Sequence, residues 1–225
     1  LGLVRLARAM NAAIRIHDLT VTHQRHPAVH HLSGSLAVGS MTAIVGPNGA
    51  GKSSLLEALV GRLVPTTGHI DYAPGLRERV AYLPQQAEID RSFPISVLDT
   101  ILTGYWREVG ALGRIDQKMV ERARQALASI GLAGFEDRPI GTLSAGQFQR
   151  VLFARVMLQD AQVILLDEPF NAIDARTTRD LLDRVRRWHD EQRTVVAVLH
   201  DMEMVREHFP ETVLVARECL GWGAT

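Results

Sequence analysis

The chain has 225 residues, of which 46% are hydrophobic, 22% charged and 5% aromatic; 25 basic and 25 acidic residues give a formal net charge of zero. That length suits one large domain or one with an insertion. The charge balance leaves no basic field for a polyanion, the scarcity of rings argues against a base-stacking nucleic-acid platform, and Cys219, the single cysteine, permits no internal disulfide and suits a reducing compartment.

Residues 1–9 carry Arg5 and Arg8 in a broken apolar stretch and read as an upstream extension before Met10. From Ala13 onward Ile14, Ile16, Leu19 and Val21 alternate as in a half-buried strand. A histidine-rich stretch follows, holding His17, His23, His26, His30 and His31. A second alternating segment runs from Leu32 to Val38, and the apolar strand from Thr42 to Val45 runs straight into Gly46. Helical spacing continues through Leu55, Leu56, Leu59 and Val60 to a breaker at Gly61. Short strands are predicted around His69–Ala73 and Val80–Leu83. Residues from Ile95 to Gly131 read mostly as helices, with an amphipathic face of Met119, Ala123, Ala126, Leu127 and Ile130. Strands then return at Val163–Leu166, Thr194–Leu199 and Thr212–Ala216, separated by helices over Thr177–Gln192 and Met202–His208. Strands alternating with helices imply a mostly parallel sheet in an α/β core, with an α-helical insertion. No apolar run approaches the roughly 18 residues of a spanning helix.

The segment Gly46-Pro47-Asn48-Gly49-Ala50-Gly51-Lys52-Ser53, with Ser54 next to it, fits G-x-x-x-x-G-K-[ST] after a strand and at the start of a helix. Glycines let backbone N–H groups curl around a phosphate, and the helix N-terminus adds partial positive charge there. Lys52 is placed to reach the β- and γ-phosphates, and the Ser53 hydroxyl to ligate Mg²⁺. The strand Val163–Leu166 ends in Asp167-Glu168. In a phosphate-loop NTPase the first acid holds Mg²⁺ and the second orients or deprotonates the attacking water. Leu143-Ser144-Ala145-Gly146-Gln147 precedes a further helix. Ser144 is a reasonable N-cap, and Gly146 could expose N–H groups to an anion.

Placed before the Asp167-Glu168 strand, that last segment resembles the LSGGQ signature of ATP-binding cassette proteins. The resemblance spans about Ile14 to Ala216, with the motifs in the family's order. It implies a single ATPase domain over 13–216, with N-terminal antiparallel strands and a helical subdomain over roughly 89–158. It implies a Q-loop at Tyr82-Leu83-Pro84-Gln85, with Gln85 touching Mg²⁺ or the lytic water; Gln86 is the alternative. Asn171-Ala172-Ile173-Asp174 is similar to the D-loop, with Asp174 crossing a dimer interface. His200, after the Thr194–Leu199 strand, is similar to the switch histidine that contacts the γ-phosphate, although a histidine there could also be structural. Ala145 stands where the pattern usually has glycine, and His23 stands where the family often stacks an aromatic ring on adenine. The other histidines from His17 to His31 read as polar side chains turned to solvent, since their spacing matches no closed zinc pattern.

In this family each active site is shared by two cassettes, so the resemblance implies ATP and Mg²⁺ as cofactors and a second cassette, a homodimer or a sister subunit, as partner. The run from Ala87 to Asp99, followed by Gly104-Tyr105-Trp106, resembles bacterial zinc and manganese importers. There Phe93 and Leu98 either pack the helical subdomain or receive a permease, or do both. The implied protein is a motor on the cytoplasmic face of a membrane, attached to transmembrane permease subunits and served indirectly by a periplasmic metal-binding protein. Nucleic acid is not among the expected partners. A soluble cassette without a transport role is the alternative.

Overall fold

The computed structural model describes residues 11–23, 26–86, 89–110 and 112–225, with the side chains of residues 23, 26 and 27 left aside. The proposed extension at 1–9 lies outside the described residues. The described residues divide into two compact units: those up to 82, with 161–168 and 185–225, form the first, and those of 83–160 with 169–184 form the second.

The first unit holds two sheets. Strands β1 (Ala12–His23), β2 (His26–Ala37) and β4 (Thr67–Tyr72) make an antiparallel sheet in the order β2-β1-β4. Ile14 and Ile16 point to the core while Arg15 and His17 are exposed, and beyond Asp18 the inward set becomes Leu19 and Val21. The parity changes because the ladder slips between Ile16 and Leu19, where Asp18 adopts φ +46°. An extra residue in one strand re-aims every side chain beyond it.

The second sheet runs in the order β5-β6-β7-β3-β8-β9. Its strands are β3 (Met41–Val45), β5 (Val80–Leu83), β6 (Val163–Asp167), β7 (Thr194–Val198), β8 (Glu211–Ala216) and β9 (Glu218–Ala224). β3 is parallel to β7 and β8, and β6 to β7. All residues of β3, β6 and β7 are buried, as expected for continuous apolar runs inside a parallel sheet. Helix α1 (Lys52–Val60) follows β3. Its Leu55, Leu56 and Leu59 join Ile14, Leu19 and Leu32 of the antiparallel sheet and Ile44, Leu165 and Val196 of the parallel one in a single apolar core.

The terminal strand β9, antiparallel to β8, is absent from the sequence expectation. Its glycines and exposed positions hide the alternation, yet Trp222 lies over Gly34 of β2, where a Cβ would stand 2.2 Å from the indole.

The second unit is mainly helical. Helices α2 (Val97–Leu102), α4 (Gln117–Ser129) and α5 (Ala145–Met157) pack on one another, with the short α3 (Trp106–Val109) between α2 and α4 in sequence. The stretch expected to be mostly helical from Ile95 to Gly131 is helical over 97–109 and 117–129, with Gly110 and Gly113 in the break between the two. Helix α6 (Ala175–Asp190) starts in this unit, and α7 (Met202–His208) lies between β7 and β8.

Candidate functional site

The phosphate-loop segment leaves the C-terminal end of β3 and enters α1 through Gly51, whose φ of +91° is left-handed. A Cβ on Gly51 would stand 2.0 Å from the Ala28 carbonyl oxygen, so both conformation and space require glycine. Lys52 is buried, and its Nζ donates to the carbonyl oxygens of Gly46 and Pro47, each at 2.9 Å. The ammonium therefore curls back over the mouth of its own loop. Burial pushes its pKa below the usual value, while the carboxylates of Glu168 and Asp167 act in the opposite direction. Ser53 and Ser54 follow on α1, both partly buried.

The strand register explains how the two acids and the histidine meet. β6 and β7 are parallel, and Asp167 pairs with Val198. Residues just past that row emerge at the same sheet edge, where Glu168 and His200 stand. His200 Nε2 donates to Glu168 Oε1 at 2.7 Å. Glu168 adopts φ +47°, an uncommon conformation for a residue with a Cβ. Such strain gathers at functional sites, where the surroundings hold the residue in place. Asp167 is fully buried at the strand end.

The donors available here also bear on a metal ion. The Ser53 hydroxyl and the Asp167 carboxylate are hard oxygen donors of the kind Mg²⁺ takes, alongside substrate phosphates and water. A buried acid beside a buried ammonium has the charge balance that a phosphate-bound cation needs. The residues present fit the ion.

The remaining expected residues, His23 apart, lie in the second unit. Ser144 caps α5 in a reciprocal box: its hydroxyl accepts from Gln147 N at 3.2 Å, and the Gln147 side chain accepts from Ser144 N at 2.9 Å. Gly146 approaches the next loop so closely that a Cβ would stand 2.5 Å from the Ala172 carbonyl oxygen. Asp174 accepts from Arg176 N, Thr177 N and the Thr177 hydroxyl at the start of α6, and these bonds, chiefly those from Thr177, lower its pKa. Gln85 is partly buried beyond β5, and the adjacent Gln86 donates to the Ala145 carbonyl oxygen at 2.9 Å. His23 ends β1, but its side chain lies outside the described residues.

Two relationships escaped the sequence reading. The Glu168–His200 pair spans 32 residues and depends on strand adjacency. Arg91 donates to the carbonyl oxygens of Ile140 and Leu143 and lies 4.9 Å over the Phe148 ring, so it ties the segment after the glutamines to the start of α5. It lies within the Ala87–Asp99 run, whose resemblance assigns this side chain no role. Phe93, read as either packing or docking, is 64% exposed, while Leu98 is half-buried.

Comparison with known proteins places the chain among similar sequences and folds. The model of the family described as ABC transporter matches residues 29–171. A probable metal transport system ATP-binding protein of Chlamydia pneumoniae is 39% identical over 214 residues, covering 93% of this chain and 83% of its own length. The manganese transport system ATP-binding protein MntB of Listeria monocytogenes is 35% identical, with coverages of 93% and 89%. The zinc transport system ATP-binding protein TroB of Treponema pallidum is 36% identical, with coverages of 94% and 81%. Among solved structures, an inward-facing ABC transporter of metal-chelate type superposes with a TM-score of 0.80 at 29% identity, covering 96% of this chain and 84% of that one. A dimeric ATP-binding cassette with ADP and phosphate bound shares the fold, with a TM-score of 0.81 at 22% identity and coverages of 94% and 98%.

Proposed function

The chain belongs to the ABC transporter family, and from that premise we propose that it is the ATP-driven motor subunit of an importer for a divalent transition metal, zinc or manganese. The observation that carries the metal assignment is the alignment of over nine-tenths of this chain with subunits named for manganese and zinc transport. Residues 13–216 are read as one motor domain, with the helical subdomain at roughly 89–158.

In this reading the backbone of 46–51 and the side chains of Lys52, Ser53 and Ser54 hold the nucleotide phosphates. Lys52 exchanges its two carbonyl acceptors for phosphate oxygens, which a flexible four-carbon stem allows. Ser53, Asp167 and Gln85 would hold Mg²⁺, which when bound neutralises charge developing on the transferred phosphoryl group. Glu168 orients the lytic water and accepts its proton, and His200 holds the carboxylate in place and faces the γ-phosphate. Ser144, Ala145, Gly146 and Gln147 serve a second cassette's nucleotide, with Asp174 at the interface between cassettes; His23 stacks weakly on adenine.

The partners are a second cassette, transmembrane permease subunits at the Phe93–Leu98 surface and, indirectly, a periplasmic metal-binding protein. This puts the motor at the cytoplasmic face of the membrane. Loss of the gene should produce a growth defect in metal-poor medium that zinc or manganese relieves, and that the wild-type chain but not Lys52→Ala complements. A defect relieved by neither metal would overturn the importer reading.

A further inference from the structure

The nucleotide reading leaves His17 and His69 of the antiparallel sheet without a role. On the solvent face of that sheet, His17 of β1 pairs directly across from His69 of β4, and Arg15 across from Asp71. His69 and Asp71 are two residues apart and therefore share a face. The three side chains meet: His17 Nε2 lies 3.2 Å and His69 Nε2 3.5 Å from the same Asp71 oxygen, Oδ2. The two imidazoles stack with centroids 4.5 Å apart and planes 13° from parallel. One ligand atom from each of the three residues lies within 4.8 Å of the others.

We propose that His17, His69 and Asp71 bind one divalent transition-metal cation of the zinc class, separate from the nucleotide site. Zinc bonds of about 2.0–2.1 Å to nitrogen and oxygen in tetrahedral geometry set ligand atoms about 3.3 Å apart. The two nitrogen-to-oxygen edges already match that spacing, at 3.2 and 3.5 Å. Rotation of exposed side chains closes the third edge. The backbone beneath is held firmly: Gly68 turns with φ +77° directly before His69, and its Cα approaches His17 so closely that a Cβ would stand 2.2 Å from the His17 carbonyl oxygen. The ladder also slips just past His17, which fixes where that side chain is aimed. Imidazole and carboxylate donors suit zinc, and the divalent-metal affinity order puts manganese well below it. Three protein ligands leave one tetrahedral position for water. Arg15 stands opposite Asp71 in the ladder.

The test is calorimetric titration of the full chain, carrying no histidine tag and stripped of metal, with Zn²⁺ and separately with Mn²⁺. Cobalt(II) absorption reports the coordination. The wild-type chain should bind one Zn²⁺, at least about tenfold more tightly than Mn²⁺. His69→Ala and Asp71→Asn should each weaken zinc by at least about tenfold, the lower bound seen even when an outer partner of a ligand is lost. His69→Gln, similar in size to histidine, guards against a folding effect. His31→Ala, which removes a different histidine–carboxylate pair with Asp18, should leave zinc affinity and ATP turnover unchanged. No zinc uptake by the wild-type chain, undiminished uptake by His69→Ala and Asp71→Asn, or loss of uptake in His31→Ala would overturn the site.

Discussion

His200 and Glu168 are joined by a 2.7 Å hydrogen bond, Nε2 to Oε1, across the ends of two adjacent parallel strands. The pair changes how the two roles must be tested. The proposed roles of the histidine toward phosphate and of the glutamate toward water are not independent here, because displacing either ring or carboxylate releases the other.

His200→Ala should therefore lower ATP turnover by roughly tenfold or more, the effect of about 1.4 kcal/mol of lost transition-state positioning. If the imidazole acts chiefly by holding Glu168, kcat falls and KM for ATP stays near wild type. If it also grips the γ-phosphate, KM rises as well. Steady-state kinetics over a range of ATP concentrations separate these cases, and an unchanged kcat would remove His200 from the mechanism.

Lys52→Ala should abolish tight ATP binding or turnover. Its Nζ is the buried cation at the phosphate loop, held at 2.9 Å by two loop carbonyls. Equilibrium binding of labelled nucleotide together with phosphate release checks this. Wild-type values in both assays would overturn the phosphate-loop assignment.

One substitution can separate the capping role of Ser144 from its proposed role at a partner's phosphate. Ser144→Ala loses the capping box and should cost about 0.5–2 kcal/mol of stability. Ser144→Asp retains a good N-cap but places a negative charge where a partner's phosphate would sit. Thermal unfolding near wild type with turnover strongly reduced is the expected outcome for Ser144→Asp. Wild-type turnover would leave Ser144 with the capping role alone.

The phosphate loop and the Asp167-Glu168 strand end were legible because their chemistry is written in contiguous residues whose spacing the backbone dictates. The strand β9 was not, since Gly221 and Gly223 blur its alternation and Trp222 finds its partner, Gly34, far back in the chain. The same reason hid the His17–His69–Asp71 cluster: antiparallel pairing brings together residues more than fifty positions apart, whereas the sequence displayed only the neighbouring histidines. Asp18 was equally silent in sequence, although the slip beside it is what turns Ile14 and Ile16, then Leu19 and Val21, toward one core. Arg91 had no role of its own within the Ala87–Asp99 run until the carbonyls of Ile140 and Leu143 were placed beside it.

The most direct test of the ATPase account is Glu168→Gln, measured as phosphate release alongside the native mass of the chain incubated with ATP. The amide keeps the reach of the side chain but loses the charge and the capacity to accept a proton. Nucleotide binding should survive, turnover should fall by about 10²–10⁴-fold, and the chain should accumulate as an ATP-loaded dimer of doubled mass. A Glu168→Gln chain that hydrolyses ATP at the wild-type rate and stays monomeric would contradict both the catalytic role of Glu168 and the shared site between two cassettes.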